Sequence, residues 1–507
     1  MPVCFRQPIL LAATLAAIVA APGCTVGPNY RRPQAAVPPA FDAPASPPGA
    51  AGPTTAPVSV VTTGPVEITQ WWATLRDEHL NNLVREAVGA NPDLRVASAR
   101  LLEARARLAV AGGAQLPSVN AGAGYTRQRL SETAQPFASV KGGALPFEFD
   151  LWQLGFDATW ELDVFGGNRR AIEAAGADVG VGIEDRRDVL VSVVAEVARN
   201  YVELRGSQRE LEVTERSLAS QRQTVEVTRN QQANGVATQL DVSRAQAQAS
   251  ATESELPAIE NRQWQAIHRI AVLLGREPNS LAAKLSPRAP IPLPPATVPV
   301  GVPSELLRRR PDIRRAEREL AASTARVGVA VADLFPRFTL NGTVGLQSSE
   351  THDLFDFASR YFTFGPGVTL PLFDAGRRRA VLAMRQAQQE QSMARYEQSV
   401  VRALAETEDA VVALQTEQRR SSSLRDSVRS YEDAAGLARN LYSQGLTDFL
   451  TVLEAERNLY VQEDALARSE RAVTTDLIAL YKALGGGWEV EMPEPNGPRP
   501  AALQAAR

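Results

Sequence analysis

The sequence predicts an α+β membrane protein that is mostly α-helical and built as two tandem copies of one unit. Three observations carry this. Two runs without proline, Gly166–Ala233 and Ala375–Ser443, span 68 and 69 residues. They consist mainly of Ala, Gln, Glu, Arg, Val and Leu with sparse apolar stripes, the composition of long coiled-coil-like helices. Four stretches of about ten residues alternate apolar and polar side chains with period two. The landmark motifs of the first half recur in the second at a nearly fixed spacing.

The copies are aligned by short matches. Asn91-Pro92-Asp93-Leu94-Arg95 corresponds to Arg310-Pro311-Asp312-Ile313-Arg314, and Pro117 to Pro336, at a spacing of 219. Beyond the strands the spacing is 210, pairing Leu162 with Leu372, Gly166 with Gly376, Gly235 with Gly445 and Gly275 with Gly485. The spacing falls from 219 to 210, so nine extra residues lie in the first copy, in or near Arg127–Asp150. The expected boundaries are 67–278 for the first copy and 304–487 for the second.

The amino terminus reads as an export signal over residues 1–23. Arg6 supplies a basic start, and Ile9–Ala21 is an apolar run of 13 residues, too short to span a bilayer. Ala21-Pro22-Gly23-Cys24 is similar to a bacterial lipoprotein box, in which Cys24 would carry an N-acyl diglyceride lipid. The alternative is ordinary cleavage after an alanine. The only other cysteine is Cys4, which cleavage would remove, so packing alone must hold the mature chain together. One acyl chain anchors only marginally. Residues 24–66 are rich in Pro and Ala and read as an extended linker; 279–303 read as a second, and 488–507 as a disordered tail. With 44% hydrophobic and 22% charged residues and a net charge of −3, the chain has the balance of an ordered protein and no nucleic-acid footprint.

Each copy runs helix, strand, loop, strand, long helix, tip, long helix. The strands are expected at about 118–127, 150–164, 337–348 and 360–373. In Trp152–Val164 the even positions are Trp, Leu, Phe, Ala, Trp, Leu and Val, and the odd ones Gln, Gly, Asp, Thr, Glu and Asp. The length suits a tilted transmembrane strand, and equally a soluble sandwich with one wet face. Four strands cannot close a barrel and an open edge is not tolerated in lipid, so a barrel requires several chains. The long helices would each reach about 100 Å. The helix before each strand pair, stacked on the helix after each tip, gives about 90 Å, so each half could form one continuous and one split column. Pro257 would kink the split column of the first half; its counterpart is Ala467.

Four segments carry a family resemblance. They are Pro303–Glu317 (PSELLRRRPDIRRAE), Gly23–Tyr30 (GCTVGPNY), Trp160–Gly166 (WELDVFG) and Leu370–Asp374 (LPLFD). Together they resemble the outer-membrane efflux factor family, the TolC-like channel-tunnels, in its lipoprotein branch. The resemblance implies a homotrimer with a 12-stranded outer-membrane β-barrel and a periplasmic α-helical tunnel. Such trimers are passive exit ducts for drugs or small solutes, with no enzymatic activity. Their partners would be a periplasmic adaptor and an inner-membrane transporter, here of the resistance-nodulation-division type.

By position, the resemblance implies a periplasmic gate at Leu450 and Glu454, with Thr451 where some members carry a second acid. The plainer reading has Leu450 in the core and Glu454 as a solvated charge near a helix start. Adaptor docking is expected at the tips, about 231–241 and 441–454, through Gly235, Val236, Thr238, Asp241, Gly445, Leu446 and Asp448; turn and cap chemistry alone would also place these residues there. Arg169, Arg170, Arg377, Arg378 and Arg379 follow the strands and could meet lipid headgroups or form a solvated patch. His79, His268 and His352 show no metal-ligand spacing, and no phosphate loop, nucleophile elbow or paired cysteine is present. Two other classes stay open: the exit channel of a protein secretion system, and a trimeric coiled-coil surface structural protein without a lumen.

Overall fold

A computed structural model describes residues 25–34, 37–41, 59–62, 68–131 and 148–490. The expected signal segment, Cys24 and residues 491–507 lie outside these. In chain order the elements are β1 (Val60–Thr62), a 3-10 turn at Trp71–Leu75, α1 (Glu78–Ala90), α2 (Pro92–Gly113), β2 (Ser118–Arg129) and β3 (Glu148–Leu162). There follow α3 (Gly167–Ala233), α4 (Gln239–Glu253), α5 (Leu256–Leu273), α6 (Ala282–Leu285) and β4 (Thr297–Pro299). The remainder is α7 (Pro303–Arg309), α8 (Pro311–Ala332), β5 (Arg337–Ser348), β6 (Arg360–Thr369), α9 (Arg377–Ser443) and α10 (Phe449–Ala483).

Local chemistry sets the helix ends. Asn91 Oδ1 accepts from the N–H groups of Asp93 and Leu94, and Pro92 occupies the first helical position of α2, where no N–H is needed. Both long helices, α3 and α9, have 67 residues, about 100 Å each. No proline interrupts either. Asp163 accepts from the N–H groups of Asn168 and Arg169 at the start of α3, and Asp374 from those of Gly376 and Arg378 at the start of α9. These carboxylates offset the unfavourable arginines in each first turn.

The helices lie side by side in columns. Column α3 packs on α2, α4 and α5 at one flank and on α8 and α10 at the other, and α9 packs on α8 and α10. The column after the first tip breaks between Glu253 and Leu256, with Pro257 at the second position of α5; α10 continues unbroken through Ala467. The four main strands form one antiparallel sheet in the order β2-β3-β5-β6. Strand order and column order coincide: β2 follows α2, β3 precedes α3, β5 follows α8 and β6 precedes α9.

The main core sits midway along the columns. Trp71 stacks on Tyr481 at 5.2 Å and meets Trp72 edge-on at 5.8 Å. Leu80, Leu83, Leu190, Tyr201, Leu204, Ile270, Leu414 and Leu477 join them with almost no exposure. A second cluster near the tips contains Leu218, Val225, Tyr442, Phe449 and Val452.

The expected linkers contribute more than their composition suggests. The segment 279–303 contains α6 and β4, and β4 pairs in parallel with β1 from the 24–66 linker, Val60 against Thr297. Phe41 packs on the main core. The tail boundary is also revised: the Trp488 ring lies under the guanidinium groups of Arg187 and Arg314, at 4.4 and 5.4 Å, so packing continues past 487. Proline-rich segments cannot build a core, but they can spend their side chains on one supplied by the helices.

Candidate channel wall and constriction

The sheet has one apolar and one polar face. Register puts Val119, Tyr125, Leu154, Phe156, Val344, Phe362, Phe364 and Val368 on one face, and all are exposed. An exposed apolar surface of this kind needs lipid or protein against it. Aromatic contacts mark both ends: Tyr125 against Trp152 at 4.4 Å, and Phe165 against Phe335 and Phe338 at 4.6 and 6.4 Å. On the other face Asn120 donates to Asp157 at 3.0 Å and Gln153 to Gln347 at 3.4 Å. The Tyr361 ring lies across Gly345 and Gly155 there; a Cβ on Gly345 would come within 3.0 Å of its Cε1 and 2.5 Å of the Leu154 carbonyl. No helix among the described residues is long and apolar enough to cross a membrane.

The headgroup reading of the five arginines fails for Arg170. Its side chain is 3% exposed and holds the N-terminal segment. Nε donates to the Val26 carbonyl at 3.1 Å, and Nη2 to the Gly27 carbonyl at 3.3 Å and to Asn29 Oδ1 at 2.6 Å. Val26 N–H donates to the Phe165 carbonyl, and Gly27 lies so close to Gly328 that a Cβ would sit 2.5 Å from its Cα. Arg169 is held by Asp163 and Arg378 by Asp374, while Arg377 and Arg379 remain exposed.

The tips are two matching turns. At the first, Gly235 N–H donates to the Gln232 carbonyl and Val236 N–H to that of Gln231; at the second, Gly445 donates to Tyr442 and Leu446 to Leu441. This paired closure needs a left-handed residue at its centre, and Gly235 and Gly445 have φ of 75° and 73°. Thr238 and Asp241 form a reciprocal capping box at the start of α4. Asp448 caps α10, accepting from both Thr451 N–H at 3.0 Å and Thr451 Oγ1 at 2.6 Å. The Thr451 hydroxyl and then its N–H hold the Asp448 carboxyl below the ordinary aspartate value. Thr451 is thus a capping partner. Val236, 67% exposed, and Leu446 leave an apolar side chain at each tip.

Helix α10 sorts its first turns by face. Phe449, Val452, Glu456 and Tyr460 are buried, while Leu450, Glu454 and Arg457 are exposed. Leu450 is 44% exposed, so the core reading does not hold for it within one protomer. Leu450 and Glu454, four residues apart, share one solvent-facing stripe.

Residue pattern alone did not single out Glu456 or Glu210. Glu456, 6% exposed, accepts from Thr224 Oγ1 at 2.8 Å and lies 3.6 Å from Arg439 Nε. It joins α10 to α3 and α9 directly above the tips. Burial raises its pKa, which Thr224 and Arg439 partly offset. Glu210 on α3 accepts from Arg262 on α5 at 2.8 Å and from Arg468 on α10 at 2.7 Å, with Arg471 at 3.7 Å. The available signal was an acid in phase with an apolar stripe, Glu456 being seven residues after Phe449. Among the described residues one group, Glu350, His352 and Asp353, has ligand atoms close enough to share a metal. Glu350 and His352 are exposed and Asp353 is half-buried, and the two His352 ring nitrogens face the group's own carboxylates.

The chain matches the family model described as outer membrane efflux protein over residues 83–276 and 302–486. It is 32% identical to outer membrane protein OprJ of Pseudomonas aeruginosa, over 95% of each chain. It is 33% identical to the pyoverdine export outer membrane protein OpmQ of Pseudomonas putida, over 84% of this chain and 89% of that one. The outer-membrane channel OprN superposes with a TM-score of 0.83 at 37% identity, covering 92% of this chain and all of the other. The CmeC channel of Campylobacter jejuni shares the fold, with a TM-score of 0.83 at 21% identity and coverage of 92% and 95%. The open edges and two-faced sheet, together with this agreement along nearly the whole length, place the chain in the outer membrane efflux protein family, as an outer-membrane efflux channel.

Proposed function

We propose that three copies of this chain form a continuous duct from the periplasm to the cell exterior. Twelve strands would close a barrel in the outer membrane, and the helical columns would close a tunnel beneath it. The observation that carries this reading is the coincidence of strand and column order. Among the described residues, strand β2 and the α2/α4/α5 column are free on one side of the protomer, and β6 and α9 on the other. One rotation about a common axis therefore brings both pairs of free edges together, giving a closed cyclic ring. Closure removes the sheet edges that lipid does not tolerate. Turned this way, the apolar face meets lipid and the polar face lines a wet lumen.

In this reading the two halves are tandem copies of one unit, each supplying two strands and two columns. The duct carries small organic solutes passively and has no catalytic role. Named relatives include pyoverdine and toluene exporters, so cargo differs within the family while the duct is kept. Leu450 and Glu454 would form rings narrowing the periplasmic end, where three carboxylates favour cations. Gly235, Val236, Thr238, Asp241, Gly445, Leu446 and Asp448 would meet a periplasmic adaptor that joins an inner-membrane transporter of the resistance-nodulation-division type. A lipid on Cys24 would add a second membrane attachment.

Deleting the gene and re-expressing the chain with its pump partners tests this. Restored efflux of a toxic solute is expected, with ion conductance for the purified protein in a planar bilayer. A purified protein that forms trimers but never conducts would contradict the duct.

A further inference from the structure

Between α3, α7, α8 and the N-terminal segment lies an open cavity of about 560 Å³. Tyr30, Arg32, Glu184, Arg308, Arg314, Glu317 and Arg318 line it. Arg187 adds a further guanidinium behind Glu184, at 2.8 Å. Four arginines therefore contact two carboxylates, Arg32 and Arg318 at Glu317 and Arg187 and Arg314 at Glu184, and Arg308 lines the same cavity beside them.

Both carboxylates are already committed. Glu317, 8% exposed, accepts from Tyr30 Oη at 2.8 Å and from Arg318 at 2.5 Å, with Arg32 at 3.9 Å. Glu184, 7% exposed, is bound through one oxygen by both Arg187 and Arg314, each at 2.8 Å. Its second oxygen, Oε2, is buried with no hydrogen-bond partner. Arg308 is exposed and has no partner among the described residues. The cavity thus holds a net positive charge on planar forked donors, beside one buried acceptor in need of a donor. Guanidinium groups in this arrangement match oxyanions by geometry as well as charge.

We propose that this cavity binds an oxyanion, a phosphate or carboxylate, on a molecule that also offers a hydroxyl or amine. The anionic group lies between Arg308, Arg314 and Arg318, and the hydroxyl or amine donates to Glu184 Oε2. Free periplasmic phosphate esters and the carboxylate-bearing peptides of the cell wall both have this chemistry. The tunnel wall is thereby a ligand-binding surface in its own right, separate from the lumen and the tips.

The test is isothermal titration of the purified full-length oligomer in detergent with glycerol phosphate, with a soluble disaccharide-tetrapeptide wall fragment, and with chloride at matched ionic strength. Saturable binding of either organic probe is expected, at least tenfold weaker in Arg308→Gln and in Arg318→Gln. Preference for one probe identifies the source. Arg308 is exposed and has no polar partner among the described residues, so its variant keeps the fold and isolates the site. Failure of both probes to exceed chloride, or binding unchanged in both variants, overturns the proposal. Neither outcome depends on whether the protein conducts.

Discussion

Thr224 on α3 donates a 2.8 Å hydrogen bond to Glu456 on α10, and Glu456 is 6% exposed. With Arg439 of α9 at 3.6 Å, this one carboxylate links three of the helices above the tips. Glu456→Ala should leave Thr224 and Arg439 without their acceptor, at a cost of about 1–3 kcal/mol. Hydrogen exchange should accelerate in 218–228 and 449–456 while the midway core stays protected. Glu456→Gln, which can still accept from Thr224, should show the smaller change. Equal protection in both variants would remove Glu456 as a link.

Arg170 makes a different kind of contact, with backbone carbonyls of a segment that has no core of its own. Arg170→Ala should free Thr25–Asn29 from the α3–α8 groove and destabilise the protein by about 1–3 kcal/mol, because water only partly replaces the lost hydrogen bonds to the guanidinium. Lysine cannot reproduce the forked pattern, so Arg170→Lys should rescue little. Limited proteolysis near residue 30 reads the release, and an unchanged cleavage pattern would contradict the role.

At the proposed constriction, stability and conductance should separate. Leu450 and Glu454 are exposed, so Leu450→Ala with Glu454→Ala should change stability by no more than about 0.5 kcal/mol. Single-channel conductance in planar bilayers should nevertheless rise, and cation selectivity should fall. Unchanged conductance would sink the gate assignment.

One half-buried acid gives a pH signature. Burial, and then the neighbouring Glu417, push the Asp476 carboxyl up to about 6 from an ordinary 3.8. The folded chain therefore holds this proton more tightly than the unfolded chain. Its stabilising contribution is complete below the ordinary value and lost as pH rises through about 6. Asp476→Asn should be more stable than the parent at pH 7.5, by on the order of 1 kcal/mol after solvent screening, and equal to it near pH 4. Thermal melts at the two pH values check the sign.

The helical frame was legible because its determinants are local. Long proline-free runs, glycines at both tips and alternating strands each act within a few residues, so α3, α9, β5 and the turns at Gly235 and Gly445 fall close to where the pattern put them. The unread parts depend on partners distant in sequence. Arg170 looked like a surface charge until Val26, Gly27 and Asn29, some 140 residues earlier, occupied its donors. Glu456 and Glu210 read as ordinary helical charges because the partners that hold them, Thr224 and Arg439 for one and Arg262 and Arg468 for the other, lie on other helices. Strands β1 and β4, three residues each, are too short for any periodicity.

The central claim is a threefold duct closed through matching free edges. Cryo-electron microscopy of the purified full-length protein tests it most directly. The account predicts a ring of three protomers in which β6 pairs with β2 of the next copy, and α9 packs against its neighbour's α2 and α5. Particles that stay monomeric, or a ring that joins the sheet through one pair of edges and the helices through another, would contradict it.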